Sequence, residues 1–158
     1  MPFVRITILA GKPEAQVRAI ADGVHQAMVE AIDVPLADRF QVVHEVPAGR
    51  LFADPAYLGV SRSADVVFVE ISLHRGRPDE KKQLLHRRIA DLLGAGGEVR
   101  PEDVFVILHD TGSADWSFGN GEAQVLKAGF RPHWAQPNAP RPAEPLAATD
   151  RDLGRESV

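Results

Sequence analysis

Phe3-Val4-Arg5-Ile6-Thr7-Ile8 returns later in the chain as Phe68-Val69-Glu70-Ile71-Ser72-Leu73. In both copies apolar residues alternate with polar ones, the period of a strand with one buried face. The likeness continues in register. Gly11-Lys12-Pro13-Glu14 answers to Gly76-Arg77-Pro78-Asp79, Asp38-Arg39-Phe40 to Asp103-Val104-Phe105, and His44-Glu45 to His109-Asp110. Positions 3 and 68, 11 and 76, 38 and 103, and 44 and 109 all differ by 65. One offset held without a gap from first strand to last marks a duplicated unit.

Each unit reads as strand, helix, strand. After the first strand come a glycine, a basic residue and a proline, and Pro13 and Pro78 suit the first helical position, where a missing N–H is harmless. Glu14 and Asp79-Glu80 follow in the first turn, favoured by the helix dipole. Val17, Ile20, Ala21, Val24 and Met28 then fall on one helical stripe, and Leu85, Ile89, Leu92 and Leu93 on its counterpart. Second strands are expected at about 40–46 and 104–108. The two strands of a β-α-β unit run parallel with a right-handed crossover. The expected fold is therefore α/β (α+β): a tandem β-α-β repeat forming a four-stranded sheet with two helices on one face. The other sheet face carries apolar side chains and needs a partner surface, which argues for an oligomer. The expected organisation is one domain over 1–130, with units at about 2–46 and 67–110 and a C-terminal hairpin turning at Gly119-Asn120-Gly121. Residues 131–158, punctuated by Pro132, Pro137, Pro140, Pro142 and Pro145, read as an extended or disordered tail, with Trp134 an anchor within it.

Composition narrows the function. The 158 residues suit a single domain, and the 44% hydrophobic and 25% charged content is that of an ordinary globular chain. The net charge of −4 shows no basic stripe, so nucleic acid is not an expected partner. There is no cysteine, which removes disulfides, thiol nucleophiles and Cys-ligated zinc. The six histidines show no metal-ligand spacing, and Gly94-Ala95-Gly96-Gly97 follows a helix as a cap rather than cradling a phosphate. No metal and no cofactor are expected. No apolar run reaches the roughly 20 residues needed to span a bilayer, and residues 1–5 lack a signal-peptide layout, so the expectation is a cytoplasmic protein with no membrane partner.

The repeat combined with Pro2 resembles the tautomerase superfamily in its fused two-unit form, most closely the malonate semialdehyde decarboxylases. The likeness covers roughly residues 2–130. It rests on Pro2, Gln16-Val17 through Ala27-Met28-Val29, Val34-Pro35 with Asp38-Arg39, Arg75-Gly76-Arg77, and Asp115-Trp116-Ser117-Phe118-Gly119. It implies a homotrimer, removal of Met1, and a small carboxylate-bearing oxo acid as substrate. It implies catalytic roles for Pro2, Asp38, Arg75 and Arg77, with substrate contacts from Arg75, Arg77, Trp116 and Phe118. Matching both arginines requires one extra residue after Leu73; without it His74 and Gly76 take those places. Val125 stands where the resemblance calls for an aromatic ring.

These residue types suit the chemistry. A free N-terminal proline is a rigid secondary amine, and an ordinary α-amine has a pKa near 7.7–8.0. Cations and burial lower it towards a base or nucleophile, and carboxylates raise it towards an acid. Guanidinium groups hold carboxylates through bidentate hydrogen bonds. Taken alone, Asp38 is a turn residue, since Asp103 fills the same place in the second unit. Decarboxylation of a 3-oxo acid, tautomerisation or hydration of a related acid, and non-catalytic binding on the same fold are the readings that follow.

Overall fold

The computed structural model describes residues 1–97 and 99–127. The tail at 131–158, with Trp134, lies outside the described residues, as do 128–130. Strand β1 (Pro2–Leu9) leads into helix α1 (Glu14–Ile32) and strand β2 (Gln41–Val46). Strand β3 (Val67–His74), helix α2 (Asp79–Ala95) and strand β4 (Val104–Thr111) repeat the pattern. The sheet order is β2-β1-β3-β4, with β1 parallel to β2, β3 parallel to β4, and β1 antiparallel to β3. The two β-α-β units thus meet head to tail across the centre of the sheet.

Alternation in the strands does what their period requires. Val4, Ile6 and Ile8, with Val69, Ile71 and Leu73, point to the helices and are fully buried. Against them pack Ile20, Val24 and Met28 of α1 and Leu85, Ile89 and Leu93 of α2. The helices approach closely at Gly23, where a Cβ would sit 2.9 Å from Leu93 Cδ2, so a larger residue there would have to displace the end of the Leu93 side chain. Pro13 and Pro78 cap their helices instead of forming the first helical residue. Their ψ angles of 142° and 158° are extended, and their carbonyls accept from the N–H groups of Val17 and Lys82. β4 runs three residues past the expected end, because Leu108, His109, Asp110 and Thr111 stay paired with Ile71 through His74.

The opposite sheet face is open. It presents Val42, Phe105 and Ile107, all about two-fifths exposed, and a Phe68–Phe105 edge-to-face pair with centroids 5.3 Å apart. Arg5, Glu70 and His109 interrupt this apolar surface as a loose charged group with separations of 3.9 Å. The connection between the units brings Phe52, 82% exposed, to the rim of a depression of about 490 Å³ on this face. The surface has the apolar character of an interface. The expected C-terminal hairpin does not form within 112–127. Gly119, Asn120 and Gly121 do turn, with φ of 133°, 58° and 68°, but the chain continues into a short 3-10 turn at Gln124–Leu126 instead of a returning strand. Gln124 bonds the backbone of the turn with its own side chain, accepting from the Phe118 N–H and donating to Gly119 O.

Ile71 lies in a central strand with no exposed surface. Ile71→Ala should lower unfolding free energy by about 2–5 kcal/mol, the range for deleting a buried aliphatic side chain, read as an earlier midpoint in urea at unchanged slope.

Candidate active site

The antiparallel pairing of β1 with β3 sets Pro2 opposite Leu73, so the chain start meets the end of β3 and the turn into α2. Pro2 is buried. Directly ahead of it the Met1 amine lies 2.9 Å from Asp38 Oδ2, and the Asp38 side chain is 16% exposed. Asp38 reaches this place through a tightly fixed loop. α1 ends at Asp33, whose left-handed conformation turns the chain out of the helix. The Asp38 N–H donates to Pro35 O at 2.9 Å, and the Val4 N–H donates to Phe40 O at 2.9 Å, docking the loop on β1. Arg39 ties the loop to α1 through Asp22 at 2.6 Å.

Arg77 closes the other side. Gly76, with φ of 108°, makes the turn that sends Arg77 inwards, and Arg77 is 6% exposed. Its Nη1 donates to His74 O at 3.0 Å. Burial pulls its pKa down to about 10, against the pull of Asp110, Asp38 and Asp33, so the side chain remains cationic at neutral pH. The chain-start amine also has a lowered pKa. Burial is the main cause and Arg77 adds to it, while the hydrogen bond and charge of Asp38 act in the opposite direction. Amine, carboxylate and guanidinium therefore form one coupled group.

Arg75 is placed differently. It is exposed, its N–H donates to Thr111 O at 2.9 Å, and its guanidinium lies over Gly112. A Cβ at residue 112 would come 2.8 Å from that guanidinium, so Gly112 makes room for it. Trp116 donates from Nε1 to Thr111 Oγ1 at 2.7 Å, and that hydroxyl donates to Leu73 O at 2.9 Å, opposite Pro2. Trp116 stacks on Phe118 with centroids 5.7 Å apart and planes 7° apart, and Phe118 meets Phe40 at 5.6 Å. The three rings form a wall from the end of β4 to the loop that carries Asp38. Of the alternative pair, His74 bonds Arg75 O at 2.8 Å and Ser113 Oγ at 2.9 Å, so its ring faces the β4 end, and it is Arg77 whose charge acts on the amine.

Sequence reasoning missed Phe40, Thr111 and Asp110. Phe40 had a signal, since it directly follows Asp38-Arg39. Thr111 and Asp110 had none, because their roles depend on where β4 ends.

The duplicated half carries the same layout in closed form. Val67 stands at the place of Pro2, and Lys12 at the place of Arg77. Lys12, with a side chain 9% exposed, is held by both oxygens of Asp65 at 2.5 and 2.6 Å. Asp103, the counterpart of Asp38, accepts from the N–H and hydroxyl of Ser63 at 2.6 and 2.9 Å. Among the described residues no group of three or more His, Asp or Glu could hold a metal ion. The open half, by contrast, offers an amine, a cation and an aromatic wall, the parts needed to hold an anionic carbonyl compound and transfer a proton or add to its carbonyl.

Two family models, each described as tautomerase enzyme, match residues 2–61 and 38–119. The probable tautomerase YusQ of Bacillus subtilis (strain 168) is 39% identical over 127 residues, 80% of this chain and 100% of that protein. The crystal structure of FG41 malonate semialdehyde decarboxylase inhibited by 3-bromopropiolate superposes with a TM-score of 0.73 at 38% identity, covering 77% of this chain and 92% of that one. A fused 4-OT symmetric trimer shares the fold, with a TM-score of 0.63 at 24% identity over 76% of this chain and 94% of that one.

Because Asp38 raises the amine's pKa, Asp38→Asn should lower it further. Titration of the N-terminal residue by NMR should show the drop, and an unchanged or raised value would contradict the coupling.

Proposed function

The chain belongs to the tautomerase superfamily, and from that membership we propose that it is a cofactor-independent enzyme acting on a small oxo acid through the amine of Pro2, freed by loss of Met1. The leading reaction is decarboxylation of a 3-oxo acid such as malonate semialdehyde. The observation that carries this reading is the chain-start amine held between Asp38, at 2.9 Å, and the buried cation Arg77. Loss of Met1 moves the amine by one residue, about 3.8 Å between Cα atoms, to buried Pro2 opposite Leu73.

Each side chain has a task. Arg77, with Arg75 at the rim, holds the substrate carboxylate, and Trp116, Phe118 and Phe40 screen the carbonyl from water. The neutral secondary amine adds to the aldehyde carbon, and water leaves to give an iminium. The bond to the carboxylate carbon then breaks, its electron pair passes through the α-carbon to the iminium nitrogen, and carbon dioxide departs. Protonation of the enamine and hydrolysis return Pro2 and release acetaldehyde. Asp38 orients the water and takes up or returns its proton. Burial and the nearby Arg77, which lower the pKa of the Met1 amine, would act in the same direction on a Pro2 amine, and addition requires the uncharged nitrogen.

The same surroundings favour a second reading, keto–enol tautomerisation of a 2-oxo acid, in which neutral Pro2 shuttles the proton as a general base. The relative YusQ is named a probable tautomerase, which agrees with it. Hydration of an unsaturated acid is a variant in which Asp38 activates the water. In either case we expect a homotrimer, since three copies would cover the open apolar sheet faces, as the fused 4-OT fold forms a symmetric trimer.

Malonate semialdehyde and phenylenolpyruvate assayed in parallel separate the two reactions. Pro2→Ala and Arg77→Ala should each lower kcat/KM on the preferred compound by about 100-fold or more, the scale of losing a general base or a charged anchor. Borohydride added during turnover should leave a reduced adduct on residue 2, read by mass spectrometry. Full turnover by Pro2→Ala on both compounds would remove proline's cyclic secondary amine from the mechanism.

A further inference from the structure

His25 lies in the middle of α1 and is 3% exposed, an unusual place for an imidazole. Its Nε2 is 2.9 Å from Leu36 O. A carbonyl oxygen can only accept, so Nε2 carries the proton and donates. The other nitrogen, Nδ1, is buried and meets no hydrogen-bond donor among the described residues. A core position filled by Leu or Ile would avoid that buried bare nitrogen, so packing does not explain the residue.

The bond has a destination that does. Leu36 lies in the turn Pro35-Leu36-Ala37-Asp38, closed by the Asp38 N–H on Pro35 O at 2.9 Å. The duplicate unit has Ala90 at the matching helix position and Pro101 at the place of Leu36. There the counterpart carboxylate, Asp103, binds Ser63 and Arg100 in a closed half-site. The histidine is therefore present in the half whose carboxylate faces the chain-start amine and absent from the half whose carboxylate does not.

We infer that His25 is a positioning residue: by holding Leu36 O from within α1, it fixes the turn that sets Asp38 against the N-terminal amine. The charged groups acting on that amine are Asp38 and Arg77, and Arg77 in turn feels Asp110 and Asp33. Loosening the turn releases Asp38 and leaves Arg77 and burial unopposed. The kinetic part of this inference rests on the proposed role of Pro2, whereas the geometric part does not.

Three measurements on the mature full-length protein test it. In wild type, nitrogen NMR of His25 should report the Nε2–H tautomer, and the Nδ1–H tautomer would overturn the inference whatever the variants do. In His25→Leu, the N-terminal amine pKa should fall by at least half of the drop seen in Asp38→Asn. In His25→Gln, whose amide can donate to Leu36 O, much of that fall should be restored. kcat on the preferred oxo acid should drop about 10- to 100-fold in His25→Leu with a smaller change in KM, the scale of an ångström-sized misplacement. An amine pKa equal to wild type in a folded His25→Leu variant would overturn the positioning role. A shifted pKa with unchanged kcat would support the positioning and count instead against Pro2 as the catalytic amine. If His25→Leu does not fold, the tautomer and the amine pKa of His25→Gln decide.

Discussion

Everything at the candidate site follows from the antiparallel pairing of β1 with β3. Within one β-α-β unit the strands are parallel, so a chain start lies at the opposite end of the sheet from its own unit's helix N-terminus. Reversing the second unit brings the end of β3, and with it the first turn of α2, to the start of β1. The pair Pro2 and Leu73 is that meeting point. Arg77 could not be near the amine in a single unit, since its own unit begins at the far end. The pairing is held by buried residues from both sides, Val4 against Ile71 and Ile6 against Val69, so the core that stabilises the sheet also sets the register of the site.

The same symmetry should produce two sites, and the structure shows why the second is closed. At the start of β3 the place of Pro2 is Val67, inside a continuous chain, so no amine is available. The cation there, Lys12, is already bound by Asp65, a carboxylate just ahead of that strand. In the open half the carboxylates acting on Arg77 are Asp110, Asp38 and Asp33, none of them just ahead of β1. One half-site carries its own anion and the other is left with a cation facing the place where the chain begins. The salt bridge of the closed half anchors the connection between units, and Asp103 adds to it by holding Ser63 and Arg100.

Much of this was legible in the sequence. The offset of 65 gave both units, the helical stripes gave the core, and Gly76 with Arg77 marked the turn into α2, because these features depend on local periodicity. The families of contact across the sheet were not legible. Nothing in Lys12-Pro13 says that Asp65 will neutralise it, and nothing in Thr111 says that it will link Trp116 to Leu73. The glycines at 119 and 121 signalled a turn, but nothing in the sequence said that the Gln124 side chain would bond its backbone at Phe118 and Gly119. Arg75 and Arg77 looked alike as neighbouring cations. Their difference, one exposed on Gly112 and one buried beside Asp38, comes from the direction each takes around Gly76.

The charge balance of the site gives Asp38 a place that a turn residue would not need. Three carboxylates act on Arg77, but Asp110 is paired with Lys82 at 2.7 Å and Asp33 with Lys81 at 3.0 Å. Asp38 is left to serve the amine and Arg77 together. With the amine neutral, Asp38 and Arg77 balance in charge, and the carboxylates offset part of the desolvation penalty of the buried guanidinium. With the amine protonated, the site has one positive charge to spare. A carboxylate substrate of the kind proposed adds a negative charge, which raises the amine's pKa as it binds. That change opposes the burial that lowers the amine's pKa in the free site.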